Sequence, residues 1–189
     1  DEYIYLILII FAPVVSIIGL ITVSVVLQKL VVTPSYNREI NSAKQKINNI
    51  SAERIAVMGS YGKTTMKELL LTVLSKGKKT SATPGNKNVP ASHASWINQN
   101  INGSEEVLIF EYGESEPGDI AELADISKPS YAVITGLAPA HLDGYKTMQA
   151  IVDDFSSIKN YVNNNQLFVN KQSKELEKAF KDSQLYGSI

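Results

Sequence analysis

A long apolar run at the start of the chain sets the first limit on its fold. Residues 3–28 carry no charged side chain, since Glu2 comes before the run and Lys29 after it. The run exceeds the roughly 20 apolar residues that a helix needs to cross the hydrocarbon core of a bilayer. A cleavable signal peptide would begin with basic residues and have a shorter apolar region of about 7–15 residues. Residues 1–32 are therefore predicted to form a transmembrane helix, with residues 3–32 in contact with the membrane.

The charges that flank the run indicate how it is oriented. Acidic residues precede it and basic residues follow it. The basic residues are Lys29, Arg38, Lys44 and Lys46. Because the cytoplasmic flanks of membrane spans are enriched in lysine and arginine, we expect the rest of the chain to lie in the cytoplasm. Residues 33–52 are predicted to be a polar connector that is helical around residues 37–50, and the sequence leaves the number of spans open.

Composition narrows the range of functions. The chain has 189 residues, a formal net charge of -1 and no cysteine. A net charge this close to zero provides no field that would attract nucleic acid, so no nucleic acid partner is expected. Without cysteine, disulfides, thiolate nucleophiles and cysteine metal sites are excluded. The length leaves room for one domain with a good core in addition to the apolar helix.

From residue 53 onward, short apolar segments alternate with segments of helical pattern. The predicted strands are residues 54–59, 78–83, 107–113, 131–137 and 166–170. The predicted helices are residues 63–75, 91–100, 118–126, 147–162 and 173–180. The strands are apolar on both faces, which is typical of a parallel sheet covered by helices on each side. We predict an α/β fold with a doubly wound, mostly parallel sheet, whose ligands bind at the carboxyl ends of the strands.

A glycine pair follows the first predicted strand. Residues 55–70 read IAVMGSYGKTTMKELL, so that Gly59 and Gly62 lie between a buried strand and the start of an amphipathic helix. Glycines allow backbone N–H groups to face an anion, and the helix N-terminus adds partial positive charge. Lys63 is suited to contact terminal phosphates and Thr64 to ligate Mg2+, as in a P-loop. The spacing is shorter than in G-x-x-x-x-G-K-[ST], and a plain strand–turn–helix corner with a solvated lysine is the alternative.

Two other predicted strands end near residues that are able to bind a metal. Glu111 emerges from the apolar segment VLIFEYG, where a carboxylate is usually paired, hydrogen-bonded or metal-bound. An exposed glutamate at a sheet edge is the alternative. His141 follows YAVITGL, although a lone histidine there is more often structural and Mg2+ prefers oxygen ligands. His93 lies in a predicted helix without a partner, and we interpret it as structural.

Four segments of the chain share motifs with one protein family. They are GSYGKT at residues 59–64, ATPGNKNVP, IFEYGESEPGDIAELADISKPSYAVITGLAPAHLDGY and QLFVNKQSKELEKAF. Together they resemble the Mur ligase family, the ATP-dependent amide-forming enzymes of peptidoglycan precursor synthesis. The family's loop has the shortened form G-x-x-G-K-[ST], so the short spacing is typical of it. By this resemblance, residues 53–189 look like the family's central ATP-binding domain, incomplete at its C-terminus.

The resemblance implies roles for individual positions. ATP would contact the loop residues, namely Gly59, Ser60, Tyr61, Gly62, Lys63, Thr64 and Thr65. One Mg2+ would be held by Thr64 and Glu111, and a second by His141. Lys63, Glu111 and His141 would form the catalytic set. The residues near the uridylyl-muramoyl peptide or the transferred phosphate would be Thr83, Asn86 and Asn88.

The resemblance also implies a reaction. The carboxylate of a UDP-muramoyl peptide attacks the γ-phosphate of ATP to form an acyl phosphate, which an amine such as D-alanyl-D-alanine converts to an amide. The implied function is an ATP-dependent ligase with ATP and Mg2+ as cofactors. Such phosphoryl transfer depends on positioning and on charge neutralisation by metal and lysine. We expect ligation to require the family's other domains.

One feature of the family is missing from its usual position. The family has a carbamylated lysine that helps to hold the second metal, and Phe155 occupies the corresponding position here. Lys159, one helical turn further on, is a substitute only if the helix shifts. An oxygen ligand from Asp153 or Asp154 is the other possibility.

Two other functions stay open. Without the metal-binding lysine, the protein could be a non-catalytic, membrane-anchored nucleotide-binding module. Folylpolyglutamate synthase shares the shortened loop, so a ligase of that kind is a second alternative, against which GSYGKTT and PGDIAELADI argue. A membrane transport ATPase would have the longer loop spacing and a signature motif, and the sequence shows neither.

Overall fold

The computed structural model describes residues 2–85, 87–138, 142–171 and 173–186 of the chain. By its internal contacts the chain divides into two compact units, Asp1–Arg38 and Glu39–Ile189. The first unit is helical, and the second contains the β-strands. Each unit is therefore described by itself.

Helix α1 covers the apolar run that the sequence predicts to cross a membrane. It spans Glu2–Leu27, and a π-helical turn at Gln28–Val32 follows. The hydroxyl groups of Ser16 and Thr22 each donate to the carbonyl oxygen four residues earlier, both at 2.8 Å. Both hydroxyls are thereby satisfied within the helix. By length and composition, the helical segment Phe11–Asn48 is the one candidate for a membrane span in the part of the chain that the structure describes.

The second unit contains a six-stranded sheet in which all neighbouring strands are parallel. The strands are β1 (Glu53–Met58), β2 (Thr80–Ala82), β3 (Val107–Glu111), β4 (Tyr131–Ile134), β5 (Leu167–Asn170) and β6 (Gln184–Tyr186). Their order across the sheet is β2-β3-β1-β4-β5-β6. The chain leaves β1 toward one edge and returns to fill the other, so the strand order reverses at β1. The predicted α/β fold with a parallel sheet is confirmed, and β6 is a strand that the sequence did not predict.

Helices precede and connect these strands. They are α2 (Thr33–Asn48), α3 (Lys63–Leu74), α4 (Pro90–Asn100), α5 (Asp119–Ser127), α6 (Leu142–Tyr145), α7 (Met148–Ser156) and α8 (Lys174–Ala179). The sequence predicts one helix over residues 147–162, whereas α7 ends at Ser156 and a 3-10 turn, Ser157–Asn160, follows. The Ser156 hydroxyl donates to the Val152 carbonyl at 2.7 Å. Serine hydroxyls compete in this way for helix carbonyls, which favours a helix end.

The helices cover both faces of the sheet. On one face, Val57 and Ile109 pack against the apolar side of α3. The α3 residues of this cluster are Met66, Leu70, Leu71 and Leu74. On the other face, the ring of Phe110 lies 4.9 Å from that of His93 in α4. Neighbouring residues of a strand point to opposite faces, so Ile109 and Phe110 belong to different layers. The sheet is therefore doubly wound.

The second half of α2 packs into the α/β unit. Ile40, Ala43 and Ile47 are buried, at a spacing that forms one face of a helix. The Lys46 ammonium donates to the Asn98 carbonyl at 2.7 Å, which ties α2 to α4. The sequence predicts a connector over residues 33–52, whereas the compact unit already begins at Glu39. The polar composition of α2 conceals its narrow apolar stripe.

His93 is a fully buried residue of α4. Its ring packs against Phe110 and Tyr112, with centroid distances of 4.9 and 5.8 Å. Neither ring nitrogen has a hydrogen-bond partner among the described residues. Burial disfavours the charged imidazolium and lowers the pKa of His93 to about 3. The side chain is therefore a neutral core residue.

Replacement of His93 by leucine should remove a pH-dependent loss of stability. Below pH 6.5 the unfolded chain binds a proton at this position, whereas the folded protein binds it only near pH 3. Wild-type stability should therefore fall as the pH decreases from 6.5, by about 2 kcal/mol at pH 5 from this group. Calorimetry at pH 7.5 and 5.0 should show a smaller loss for H93L than for the wild type. Equal losses would contradict the buried neutral state.

Candidate functional site

The loop between β1 and α3, residues 59–62, lies at the carboxyl edge of the sheet. Gly59 has a φ of 139° and Gly62 a φ of 77°, which are backbone conformations that residues with a side chain rarely adopt. Gly62 is the N-cap of α3, and since glycine has no side chain, it provides no capping hydrogen bond. The first amides of a helix have no intrahelical acceptor, and the helix dipole adds partial positive charge there. The loop therefore presents an uncapped helix N-terminus.

Thr135 and Gly136, directly after β4, hold this loop in place. The Thr135 hydroxyl donates to the Tyr61 carbonyl at 2.5 Å, and the Ser60 N–H donates to the Gly136 carbonyl at 2.9 Å. A Cβ atom added to Gly59 would lie 2.3 Å from the Thr135 hydroxyl oxygen. Only glycine therefore fits at position 59 while the loop keeps this contact.

Glu111 ends β3 with a buried carboxylate, since the residue is 2% exposed. The Thr64 hydroxyl donates to its Oε1 at 3.0 Å, and the Nζ of Lys67 lies 3.2 Å from its Oε2. Its backbone N–H donates to the hydroxyl of Thr83 at 2.8 Å. The structure thus brings α3, the end of β3 and the segment after β2 together at one carboxylate.

Lys63, the first residue of α3, is held by two oxygen atoms. Its Nζ lies 2.8 Å from Oε2 of Glu114 and 2.5 Å from the carbonyl oxygen of Gly59. The Glu114 side chain is 1% exposed. With so little water nearby, the attraction between the two charges is stronger than it would be at the surface. A phosphate group that binds Lys63 must therefore either displace the Glu114 carboxylate from the ammonium or share the ammonium with it.

The three residues predicted to lie near a substrate have different surroundings. Thr83 is 1% exposed and its hydroxyl accepts the Glu111 N–H, so it supports Glu111, a role that the sequence did not suggest. The Asn88 carbonyl accepts the N–H of Gly113 at 2.7 Å and ties the segment after β2 to the segment after β3. Asn86 lies outside the described residues.

The Thr64 hydroxyl and the Glu111 carboxylate fit a magnesium ion. Mg2+ prefers oxygen ligands, and it usually binds one or two carboxylates together with waters and substrate phosphates. A Cβ added to Gly85 would lie 3.8 Å from the Thr64 hydroxyl oxygen, so backbone comes close to this pair. Within the described ranges, no group of three histidine, cysteine, aspartate or glutamate side chains could hold a metal. His141 lies outside those ranges, and its role at a second metal stays a prediction.

The residues considered in place of a carbamylated lysine have other partners. The Lys159 ammonium donates to the Ala179 carbonyl at 2.6 Å. The Asp154 carboxylate accepts the N–H of Gly118 at 2.9 Å, at the start of α5, and desolvation raises the pKa of Asp154. Asp153 is exposed and bonded to a glutamine of its own helix. Lys159 is exposed and bonded to the backbone, whereas Asp154 is buried and holds the start of α5, so a metal-binding role for either one stays a prediction.

Three further residues of the site were not identified from the sequence: Lys67, Glu114 and Thr135. Lys67 follows Thr64 by three positions and Lys63 by four, so one face of α3 carries all three, and this spacing was a usable signal. Thr135 directly follows a predicted strand at the edge where ligands bind, which was a weaker signal. No signal in the sequence indicated Glu114, since its contact with Lys63 depends on the loop conformation after β3.

A family model of the Mur ligase middle domain matches residues 57–186 of the chain. The match begins within β1 and ends with β6. It therefore includes the β1–α3 loop and every residue of the described site, and it covers more than half of the chain.

Proteins of the same family are similar to the chain in sequence and in structure. The UDP-N-acetylmuramoyl-tripeptide–D-alanyl-D-alanine ligase of Borreliella burgdorferi is 41% identical over 112 residues, which are 59% of this chain and 24% of that protein. The ligase of that name from Treponema pallidum is 38% identical over 105 residues, 56% of this chain and 23% of that protein. The crystal structure of MurF ligase from Thermotoga maritima in complex with ADP has a TM-score of 0.74 and 30% identity, and the match covers 81% of this chain and 36% of that one. The chain spans about a quarter of the length of these two curated relatives.

Replacement of Thr135 by valine should loosen the β1–α3 loop. Valine keeps the shape of the side chain but removes the hydroxyl that bonds to the Tyr61 carbonyl, which should cost about 1–2 kcal/mol of stability. Thr72→Val is a matched control, because the Thr72 hydroxyl bonds to a carbonyl on the exposed side of α3. Hydrogen–deuterium exchange in residues 59–62 should quicken in T135V and not in T72V. Unchanged exchange in T135V would show that the hydroxyl does not anchor the loop.

Proposed function

The chain belongs to the Mur ligase family, and from this we propose that the β1–α3 loop binds the phosphates of ATP in a ligase reaction. The main support is the contact between Thr64 and Glu111, 3.0 Å apart, at the carboxyl edge of a parallel sheet. Ligands of doubly wound sheets bind at this edge, next to the strand where the order reverses, which is β1 here. The uncapped N-terminus of α3 and Lys63 lie at the same place.

Lys63 is the residue that would contact the β- and γ-phosphates. Its ammonium lies 2.8 Å from the buried Glu114 carboxylate. When ATP binds, a phosphate oxygen would replace that carboxylate as the counter-charge of the ammonium. The free amides at the start of α3 would donate to the same phosphate group. The other members of the ATP-binding set are Gly59, Ser60, Tyr61, Gly62 and Thr65. Thr64 and Glu111 would hold Mg2+, which supplies charge neutralisation during phosphoryl transfer.

The proposed substrates are a UDP-muramoyl tripeptide and D-alanyl-D-alanine, since the two relatives carry the name of that ligase. The terminal carboxylate of the tripeptide attacks the γ-phosphorus of ATP, ADP leaves, and an acyl phosphate forms. The amine of the dipeptide then attacks the acyl carbon, loses a proton and displaces phosphate, which leaves an amide. The activity is proposed for the protein that contains this domain, because the chain spans only a quarter of those relatives.

Residues 3–32 are proposed to anchor the protein in a membrane, with the ATP-binding domain in the cytoplasm. The length and apolar composition of α1 support the anchor, and the basic residues that follow it support the orientation. Carbonate extraction tests this assignment. The complete protein should stay in the membrane pellet, and a variant without residues 1–32 should not. Release of the complete protein into the supernatant would argue against the anchor.

A non-catalytic nucleotide-binding module at the membrane is the second candidate. It is favoured by Phe155 at the position of the family's second-metal lysine and by the other partners that Lys159 and Asp154 have. Such a module would bind ADP and release no phosphate from ATP with both substrates present. A ligase of the folylpolyglutamate synthase kind has less support, because the two relatives carry a D-alanyl-D-alanine ligase name.

Phosphate release by the product of the complete open reading frame tests the proposed function. With ATP, Mg2+, the tripeptide and D-alanyl-D-alanine, the wild type should release phosphate and form the amide. Lys63→Ala should abolish both and lower the affinity for ADP about a hundredfold, because the ammonium contacts charged oxygens in a dry site. Lys76→Ala, at an exposed position after α3, is the matched control. Undiminished ADP binding by K63A would contradict the loop assignment, and wild-type binding without phosphate release would favour the second candidate.

A further inference from the structure

Lys67 is a buried cation that the proposed phosphate chemistry does not use. It is 1% exposed, although a lysine is almost never fully buried unless it is paired. Its Nζ lies 3.2 Å from Oε2 of Glu111 and 3.3 Å from Oε1 of Glu68. The Glu68 side chain is 58% exposed, so water screens its charge. Glu111 is therefore the main counter-charge of Lys67.

The two carboxylate oxygens of Glu111 have different neighbours. The Thr64 hydroxyl donates to Oε1, whereas Oε2 is buried and has Lys67 as its ionic partner. Thr64 and Lys67 are three residues apart in α3, so one helix face reaches both oxygens. The ammonium and the hydroxyl together thus fix the orientation of the Glu111 carboxylate.

We propose that Lys67 is a positioning residue and the resident counter-ion of Glu111, and that it restricts this site to a divalent cation that arrives bound to nucleotide phosphates. The nucleotide and the metal in this statement rest on the proposed function, whereas the ion pair does not. With Lys67 in place, the charge of Glu111 is already balanced, so a free cation gains little on binding. A nucleotide adds the negative charge that a cation requires.

A purely structural ion pair would behave differently from a counter-ion of this kind. If Lys67 only held α3 on the sheet, its loss would weaken folding and would not strengthen cation binding. If Lys67 balances Glu111, its loss leaves a carboxylate beside a hydroxyl, without an ion-pair partner among the residues that the structure describes. Binding of a free divalent cation should then improve, and this change separates the two roles.

Electron paramagnetic resonance of Mn2+, titrated into the complete protein at pH 8 without nucleotide, measures this binding. The wild type should bind free Mn2+ weakly. Lys67→Met removes the ammonium and keeps most of the side-chain volume, and it should bind Mn2+ at least about tenfold more tightly. A unit charge a few ångströms from a divalent cation opposes binding by roughly this factor even at the dielectric constant of water.

Two variants serve as controls for this measurement. Lys67→Arg keeps the positive charge and should restore weak binding. Lys76→Met makes the same chemical change at an exposed position and should match the wild type. Unchanged or weaker Mn2+ binding by K67M would overturn the proposal. Failure of the wild type to bind Mn2+ together with ADP would instead refute the proposed function. The comparison of Mn2+ binding by the wild type and K67M without nucleotide would still test the role of Lys67.

Thermal unfolding without metal tests the ion pair if a variant folds poorly. Lys67→Met and Glu111→Gln should each lower Tm by about 10 °C, because the first leaves Glu111 buried without its ammonium and the second leaves Lys67 buried with only the exposed Glu68 as counter-charge. The Tm of the double variant should fall by much less than the sum of the two single decreases, since neither charge then remains. Additive losses would show that Lys67 and Glu111 are not coupled and would overturn the proposal.

Discussion

The buried carboxylate of Glu111 is the group around which this domain is arranged. It ends β3, a strand in which every residue is buried, and a charge in such surroundings is stable only when it is paired and hydrogen-bonded. Thr83 binds its backbone amide, while Thr64 and Lys67 contact its two oxygens. The start of α3, and with it one side of the β1–α3 loop, is therefore held at the Glu111 carboxylate.

The order of the strands explains why the site forms at this edge. Because β1 lies between β3 and β4, the loop after β1 has Glu111 on one side and Thr135 on the other. Two ion pairs, Lys63–Glu114 and Lys67–Glu111, leave the described site close to neutral. A phosphate group brings negative charge and Mg2+ brings positive charge, so such a site suits the two arriving together. This links the inference about Lys67 to the proposed ligase.

Much of the fold was predictable because parallel strands buried on both faces are continuous apolar runs in the sequence. The β1–α3 loop was predictable because its glycines lie between a strand and a helix. Other features were not predictable. Strand β6 has three residues, too few for a pattern, and α2 carries its buried stripe in a polar sequence. A helical lysine normally points to water, and the burial of Lys67 depends on Glu111, far away in sequence. The contact between Lys63 and Glu114 likewise arises only in the folded chain.

A crystal structure of the complete protein with ADP and Mn2+ would show whether nucleotide and metal bind where these residues meet, because anomalous scattering locates manganese. We expect the ion about 2–2.5 Å from the Thr64 hydroxyl and from a carboxylate oxygen of Glu111. The Lys63 ammonium should contact the β-phosphate, and Lys67 should remain at Glu111. An ADP molecule bound away from the β1–α3 loop, or a metal without Glu111 among its ligands, would contradict this description of the site.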